Sequence, residues 1–299
     1  MRTAKVFTAA GYNFRRWHGN LRMIFTFLLM IVLCFFLSGK VTGFAERNGT
    51  VMQLAEPFIW TFDDSNAIML ASMLLILMLG DMPFLEADTP YFLSRMSRGQ
   101  WLTGQVVYIV ACALIYCTAV LAVTSLLCMR TSFVGNKWSE TAAMLGFSGA
   151  GDAIAVPAFV RTMETTTPYA CMAVIFALMT SYTLMLVMLM MFMSIRFGKS
   201  ASVVSAFGLS LYGYLMNPQL VKTVFNIPES RMYRANLIFG WLSPLNHASY
   251  HMHNFGYDKL PAIWQSILIM LGLCVLLYLG SLRAIKRYNF NFSKGTGRF

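Results

Sequence analysis

Residues 169–194 read YACMAVIFALMTSYTLMLVMLMMFMS, with no charged side chain anywhere in the stretch. Wound as a helix at 1.5 Å per residue, that segment reaches ~39 Å, more than the ~30 Å of hydrocarbon in a bilayer. A barrel strand would cross in roughly ten residues with polar and apolar side chains alternating. No such alternation is present. Because lipid offers backbone groups no partners, a spanning segment must satisfy its own hydrogen bonds, and this one therefore reads as a membrane helix.

Working outward, five further apolar stretches carry the same signal, at 21–39, 66–83, 102–128, 201–217 and 262–282. The second, NAIMLASMLLILMLGDMPF (Asn66–Phe84), places Asp81 near its end, where a carboxylate costs less than at the bilayer centre. The fifth contains SVVSAFGLSLYGYLM (Ser202–Met216); its small residues suit close helix packing while weakening its hydropathy. The first begins near Leu21 with no small-residue cleavage pattern after it, and reads as a retained span, not a signal peptide. Whole-chain composition agrees: 58% of residues are hydrophobic and 12% charged, against roughly 25% charged in an ordinary globular domain. The expected fold class is an all-α membrane protein: one six-helix transmembrane domain over residues 1–299.

Charge orients the bundle. With both termini cytosolic, the inner segments are 1–20, 84–101, 195–200 and 283–299, with Arg22 and Asp81 at the inner edges of the first two spans. They hold fourteen of the 23 Lys and Arg residues and three of the 12 acids, leaving nine of each outside. The net charge of +11 thus falls on one face, in the sense of the positive-inside rule. That sorting accounts for the basic composition without a nucleic-acid surface. Expected localisation is a cell membrane, multi-pass and bacterial.

At the N-terminus, Val6, Ala10, Phe14 and Trp17 recur at helical spacing, with Lys5, Arg15 and Arg16 beside them, so residues 1–20 read as an amphipathic helix on the inner membrane surface. Trp17 and Trp101 stand where interfacial indoles anchor. The outer segments, 129–168 and 218–261, are expected to form short re-entrant or surface helices. In the second, Leu220, Val221, Val224 and Phe225 make an apolar stripe, and Ser243 before Pro244 resembles a helix start.

Chemistry-bearing motifs are sparse. Cys34, Cys112, Cys117, Cys171 and Cys274 lie inside apolar stretches and Cys128 at the end of one, which suits packing and not a disulfide scaffold. The chain has no HExxH. Its GKS at Gly198–Ser200 lacks the earlier glycine of a phosphate loop, where Met193 stands, and reads as a turn between spans. His247, His251 and His253 invite a metal reading. On a helix His247 and His251 share a face; on an extended segment His251 and His253 converge. No acidic or thiol ligand completes the set, and packing or hydrogen bonding is the favoured role. The same holds for the methionines of LVMLMMFM. No catalytic constellation and no cofactor site is expected in this chain.

What remains is transport, channel activity or a structural role, and the inner strip Glu86–Gln105, EADTPYFLSRMSRGQWLTGQ, bears on that choice. Asp88 or Thr89 can cap a helix led by Pro90. Tyr91, Phe92, Leu93 and Met96 supply apolar contacts, while Glu86, Asp88, Arg95 and Arg98 supply charge. The strip resembles the inner loop between spans two and three of ABC-2 type transporter permeases, with Glu86 as the acid, Ser97–Arg98 as the turn and Trp101 beginning the return. Gln105 stands where many members carry Lys. PLNHASY (Pro244–Tyr250) is similar to the family's outer segment before the last span. The resemblance extends loosely over nearly the whole chain. It implies an exporter membrane subunit that pairs with a second permease copy or homologue and engages two cytosolic ABC ATP-binding subunits, which would hold ATP and Mg. Residues 84–101 would be the coupling helix, with Glu86, Asp88, Tyr91, Phe92, Arg95 and Arg98 at the ATPase contact. A path between the two permeases, lined by spans one, two and five, would carry an amphiphilic or hydrophobic solute such as a peptide, lipid or drug. The alternatives are a metal-handling permease using its Met and His residues, and a nontransporting membrane scaffold.

Overall fold

A computed structural model describes residues 2–84, 89–256 and 258–288. Of the described residues, 79% are helical. It opens with α1 (Arg2–Arg15) and α2 (Leu21–Asn48), continues through α3 (Glu56–Phe62), α4 (Ser65–Leu79) and α5 (Thr89–Arg95), and rises again in α6 (Arg98–Cys128). Three short helices follow, α7 (Glu140–Phe147), α8 (Ala150–Ala153) and α9 (Val160–Thr165), then α10 (Pro168–Phe197) and α11 (Lys199–Leu215). Last come α12 (Pro218–Val224), α13 (Met232–Leu242) and α14 (Ile263–Arg287). Two-residue strands, β1 (Met52–Gln53) and β2 (Ser132–Phe133), pair in parallel and tie the α2–α3 link to the end of α6.

The long helices start and stop where local chemistry directs. Asn20 accepts from the Arg22 amide at the head of α2, and Gly49 closes that helix in the left-handed region at φ 63°. Asp64 caps α4, Ser97 caps α6, and Pro168 sits in the first turn of α10. In the GKS stretch Gly198, at φ 97°, alone separates α10 from α11, and Lys199 and Ser200 begin α11.

By length and composition four helices among the described residues can cross a membrane: α2, α6 with its 3₁₀ extension to Thr131, α10 and α14. A fifth is counted only if α3 and α4, bent by 92° at their junction, form one broken span. At 15 and 17 residues, α4 and α11 are the two shortest of the six apolar helices. Each of the six expected segments coincides with a helix, although boundaries move. The first extends to Asn48, nine residues past its apolar part, because the helix carries Lys40, Glu46 and Arg47 beyond it. The second ends at Leu79 and is preceded by α3, which the apolar pattern did not single out.

Packing makes α10 the centre. It lies along α14, α11 and α6 and touches α3 and α4, and 67% of its apolar window is buried, against 17% for α14. Two ends of the bundle are defined by contacts. At one, Arg22 in the first turn of α2 pairs with Asp81 after α4, and Lys199 at the head of α11 lies 3.9 Å from the same carboxylate. The end of α14 meets the start of α6 there too, through Arg98. This is the basic end. The strand pair, α3, α7 to α9 and the segment before α14 gather at the other.

One expectation is corrected here. Ser243 ends α13 instead of starting a helix: Pro244–Ala248 follows as a turn, with the His247 amide donating to the Ser243 carbonyl. The apolar run Leu220–Phe225 does form α12, but only Val221 is buried, packed with Met216 and Ala235 in a satellite core.

Candidate functional site

The basic end is built around α5. Phe92 turns inward and meets the Tyr12 ring of α1 edge-on, 4.9 Å between centroids. Lys5 of α1 donates to the Arg95 carbonyl at 2.6 Å, serving an acceptor that the last turn of a helix leaves open. Two residues later Ser97 and Gln100 exchange hydrogen bonds in a capping box, which sets the sharp entry into α6. Arg98 then reaches α14 and donates through Nη1 to the carbonyls of Ile285, Lys286 and Tyr288 at 3.0–3.2 Å. Tyr91 projects outward and is 73% exposed, and Arg95 is exposed beside it.

The expected contact residues thus separate. Tyr91 and Arg95 face outward, Phe92 packs against α1, and Arg98 is engaged on α14. Glu86 and Asp88 lie outside the described residues. Trp101, expected at the interface, is only 2% exposed and lies against α1, near Ala9, Tyr12 and Asn13. Trp17 is half-buried and donates its indole N–H to the Tyr108 hydroxyl at 2.9 Å, a partner inside the protein.

α1 itself lies against α6. Ala9, Ala10 and Asn13 are buried, and Asn13 donates to Gln105 at 2.9 Å. Gln105 is 2% exposed. A lysine there would bury a charge, whereas the amide completes a neutral pair with Asn13. Gly104 permits the approach: an added Cβ would stand 2.7 Å from the Ala9 Cβ and 3.0 Å from the Val6 carbonyl.

At the opposite end lies a buried polar network that the sequence did not reveal. Glu56 of α3, fully buried, accepts from the Ser139 amide at 2.8 Å, from the Ser139 hydroxyl, and from the Gln53 amide. Asp63, at the bend between α3 and α4, is also fully buried; its Oδ1 accepts from the His251 amide at 2.8 Å and faces His251 Nδ1 at 3.0 Å. Phe159 stacks on that imidazole, with 4.8 Å between centroids. Burial alone lowers the His251 pKa, but the Asp63 carboxylate outweighs it and the net shift is upward.

His247 and His253 converge instead on Ser266 of α14, each with a ring nitrogen 2.8 Å from its hydroxyl oxygen. The remaining nitrogen of each faces a carbonyl, Trp241 for His247 and Tyr250 for His253, and must carry the hydrogen. Burial lowers both pKa values, His253 to about 4. The pairing of the three histidines is therefore neither of those expected for a helix or an extended strand, because the chain turns between them. Among the described residues no three His, Cys, Asp or Glu side chains gather to hold a metal. The only sequence trace of Asp63 is a carboxylate pair, Asp63–Asp64, directly after the apolar FIWTF.

Long apolar helices with polar groups gathered at the two ends define an all-α, membrane-embedded protein. No protein-family model, no curated protein and no solved structure matches the chain.

Proposed function

We propose that this chain is the six-span, ABC-2 type membrane subunit of an ATP-driven exporter, with α5 as the element that receives separate cytosolic ATP-binding subunits. The observation that carries the reading is the construction of α5. It presents an exposed tyrosine and arginine while its inner side is joined to α1 through Phe92 and Lys5. The Ser97 capping box and Arg98 continue the link to α6 and α14. A push on α5 reaches three helices through packed rings and hydrogen bonds, as a coupling element requires. Concentration of Lys and Arg at this end favours its cytosolic placement.

A second permease, identical or homologous, would complete the path for an amphiphilic or hydrophobic solute. α4 packs between α2 and α11, and both flanking helices expose apolar side chains, among them Phe25, Leu28 and Phe36 on α2 and Val204 and Phe207 on α11. ATP and Mg belong to the partner ATPase in this reading, and this chain performs no hydrolysis.

The test is native purification of the chain with its partners, then reconstitution into sealed vesicles. Recovery of an ATP-binding subunit and ATP-dependent movement of a lipid or peptide probe is the expected result. A membrane protein recovered without any nucleotide-binding partner, and vesicles with no ATP-dependent flux, would favour the scaffold reading and overturn this one.

A further inference from the structure

We propose that the cleft between the ends of α10 and α14 at the basic end binds the headgroup of an anionic phospholipid. The cleft measures about 730 Å³, and its lining includes Arg196 of α10 with Arg283, Lys286 and Arg287 of α14. Among the described residues no Asp or Glu lines it, and none of the four cations pairs with a carboxylate. The sequence of residues 289–299 contains no Asp or Glu. Four like charges around one cleft repel one another unless an anion sits among them.

Cations near a helix C-terminus often serve its open carbonyls and its dipole. Here Arg98 of α6 already donates to three carbonyls at the end of α14. Lys286 and Arg287 are exposed at the cleft, not folded back on their own helix.

The apolar part of the site selects a lipid over a soluble anion. Leu276, Gly280, Arg283 and Arg287 follow one another at four, three and four residues, a single face of α14. Leu276 is 65% exposed, and Phe192 of α10 lies over Gly280, where an added Cβ would meet its ring at 2.9 Å. The face thus runs from apolar surface to guanidinium, matching an acyl chain followed by a phosphate. Basic pockets between membrane helices recognise anionic headgroups by this arrangement. The inference rests on the membrane placement of the helices and is independent of any ATPase.

The test uses the purified full chain in detergent micelles doped with phosphatidylglycerol or phosphatidylcholine, read by thermal unfolding. Phosphatidylglycerol raises Tm and phosphatidylcholine does not. In Arg283→Gln/Arg287→Gln the half-saturating phosphatidylglycerol fraction rises roughly thirtyfold, from two lost cation contacts. Arg47→Gln/Arg231→Gln, with the same charge change at the other end, responds like the wild type. Equal stabilisation of the wild-type chain by the two lipids overturns the proposal, as does equal loss in the Arg47/Arg231 control. Inorganic phosphate reproducing the full shift would make this a soluble-anion site. Loss of a co-purifying acidic protein from Arg283→Gln/Arg287→Gln, with the lipid response unchanged, would assign the cleft to that protein.

Discussion

Ser266 has one hydroxyl hydrogen and two imidazole nitrogens at 2.8 Å, so it can donate to only one of His247 and His253 at a time. Both rings are favoured neutral in the fold, His253 with its pKa lowered to about 4. A depressed folded pKa contributes stability that is present above the unfolded value of about 6.5 and is lost as pH falls toward 4. His251 carries the opposite sign. Its raised pKa contributes stability that is present below about 6.5 and is lost as pH rises through the folded value. Thermal unfolding of the detergent-solubilised chain should therefore show Tm declining on both sides of a maximum. In His251→Gln the alkaline decline should disappear and the acid decline remain. An alkaline limb unchanged in that variant would show that the Asp63–His251 pair does not produce it. Arg98 illustrates how a side chain can be visible in sequence with its role hidden. It is legible as a charge near the turn, but its carbonyl acceptors lie some 190 positions away in the chain.

α1 shows what an amphipathic pattern does and does not specify. Its helical periodicity and basic flank are plain in the sequence, and the helix forms where they lie. Its apolar face covers α6, since Gly104 lets the two backbones approach. Gly104→Val should lift α1, at a cost of about 1–3 kcal/mol from overpacking, and trypsin should cut faster at Lys5 and Arg15. Gly11→Ala places its Cβ in open space on the same helix and should protect those sites or leave them unchanged. Equal cleavage of the Gly104→Val chain and the wild type would show that α1 is not held there. α3 makes the converse point. EPFIWTF is too short to register as a span, yet all seven residues are buried and its Glu56 anchors the loop at Ser139.

For the molecule as a whole, the distribution of exposed residues on α5 separates coupling from anchoring. Tyr91→Ala/Arg95→Ala removes two outward side chains and leaves the Lys5 bond to the Arg95 carbonyl in place. Its unfolding free energy should stay within about 0.5 kcal/mol of the wild type, as for surface changes generally. ATPase recovery and ATP-driven flux should fall severalfold. Unchanged recovery and flux would remove α5 from the partner interface. The six apolar helices, the concentration of Lys and Arg at one end and the turn at Gly198 were all legible in the sequence. Helix formation in lipid depends on local length and hydropathy, because each backbone group must find its partner within its own segment. The Asp63–His251 pair, the His247–Ser266–His253 cluster, the burial of Trp101 and the cation-lined cleft were decided by tertiary structure alone. Each joins groups from different elements of the fold, and whether a polar side chain meets a partner, a ligand or lipid depends on which elements pack together.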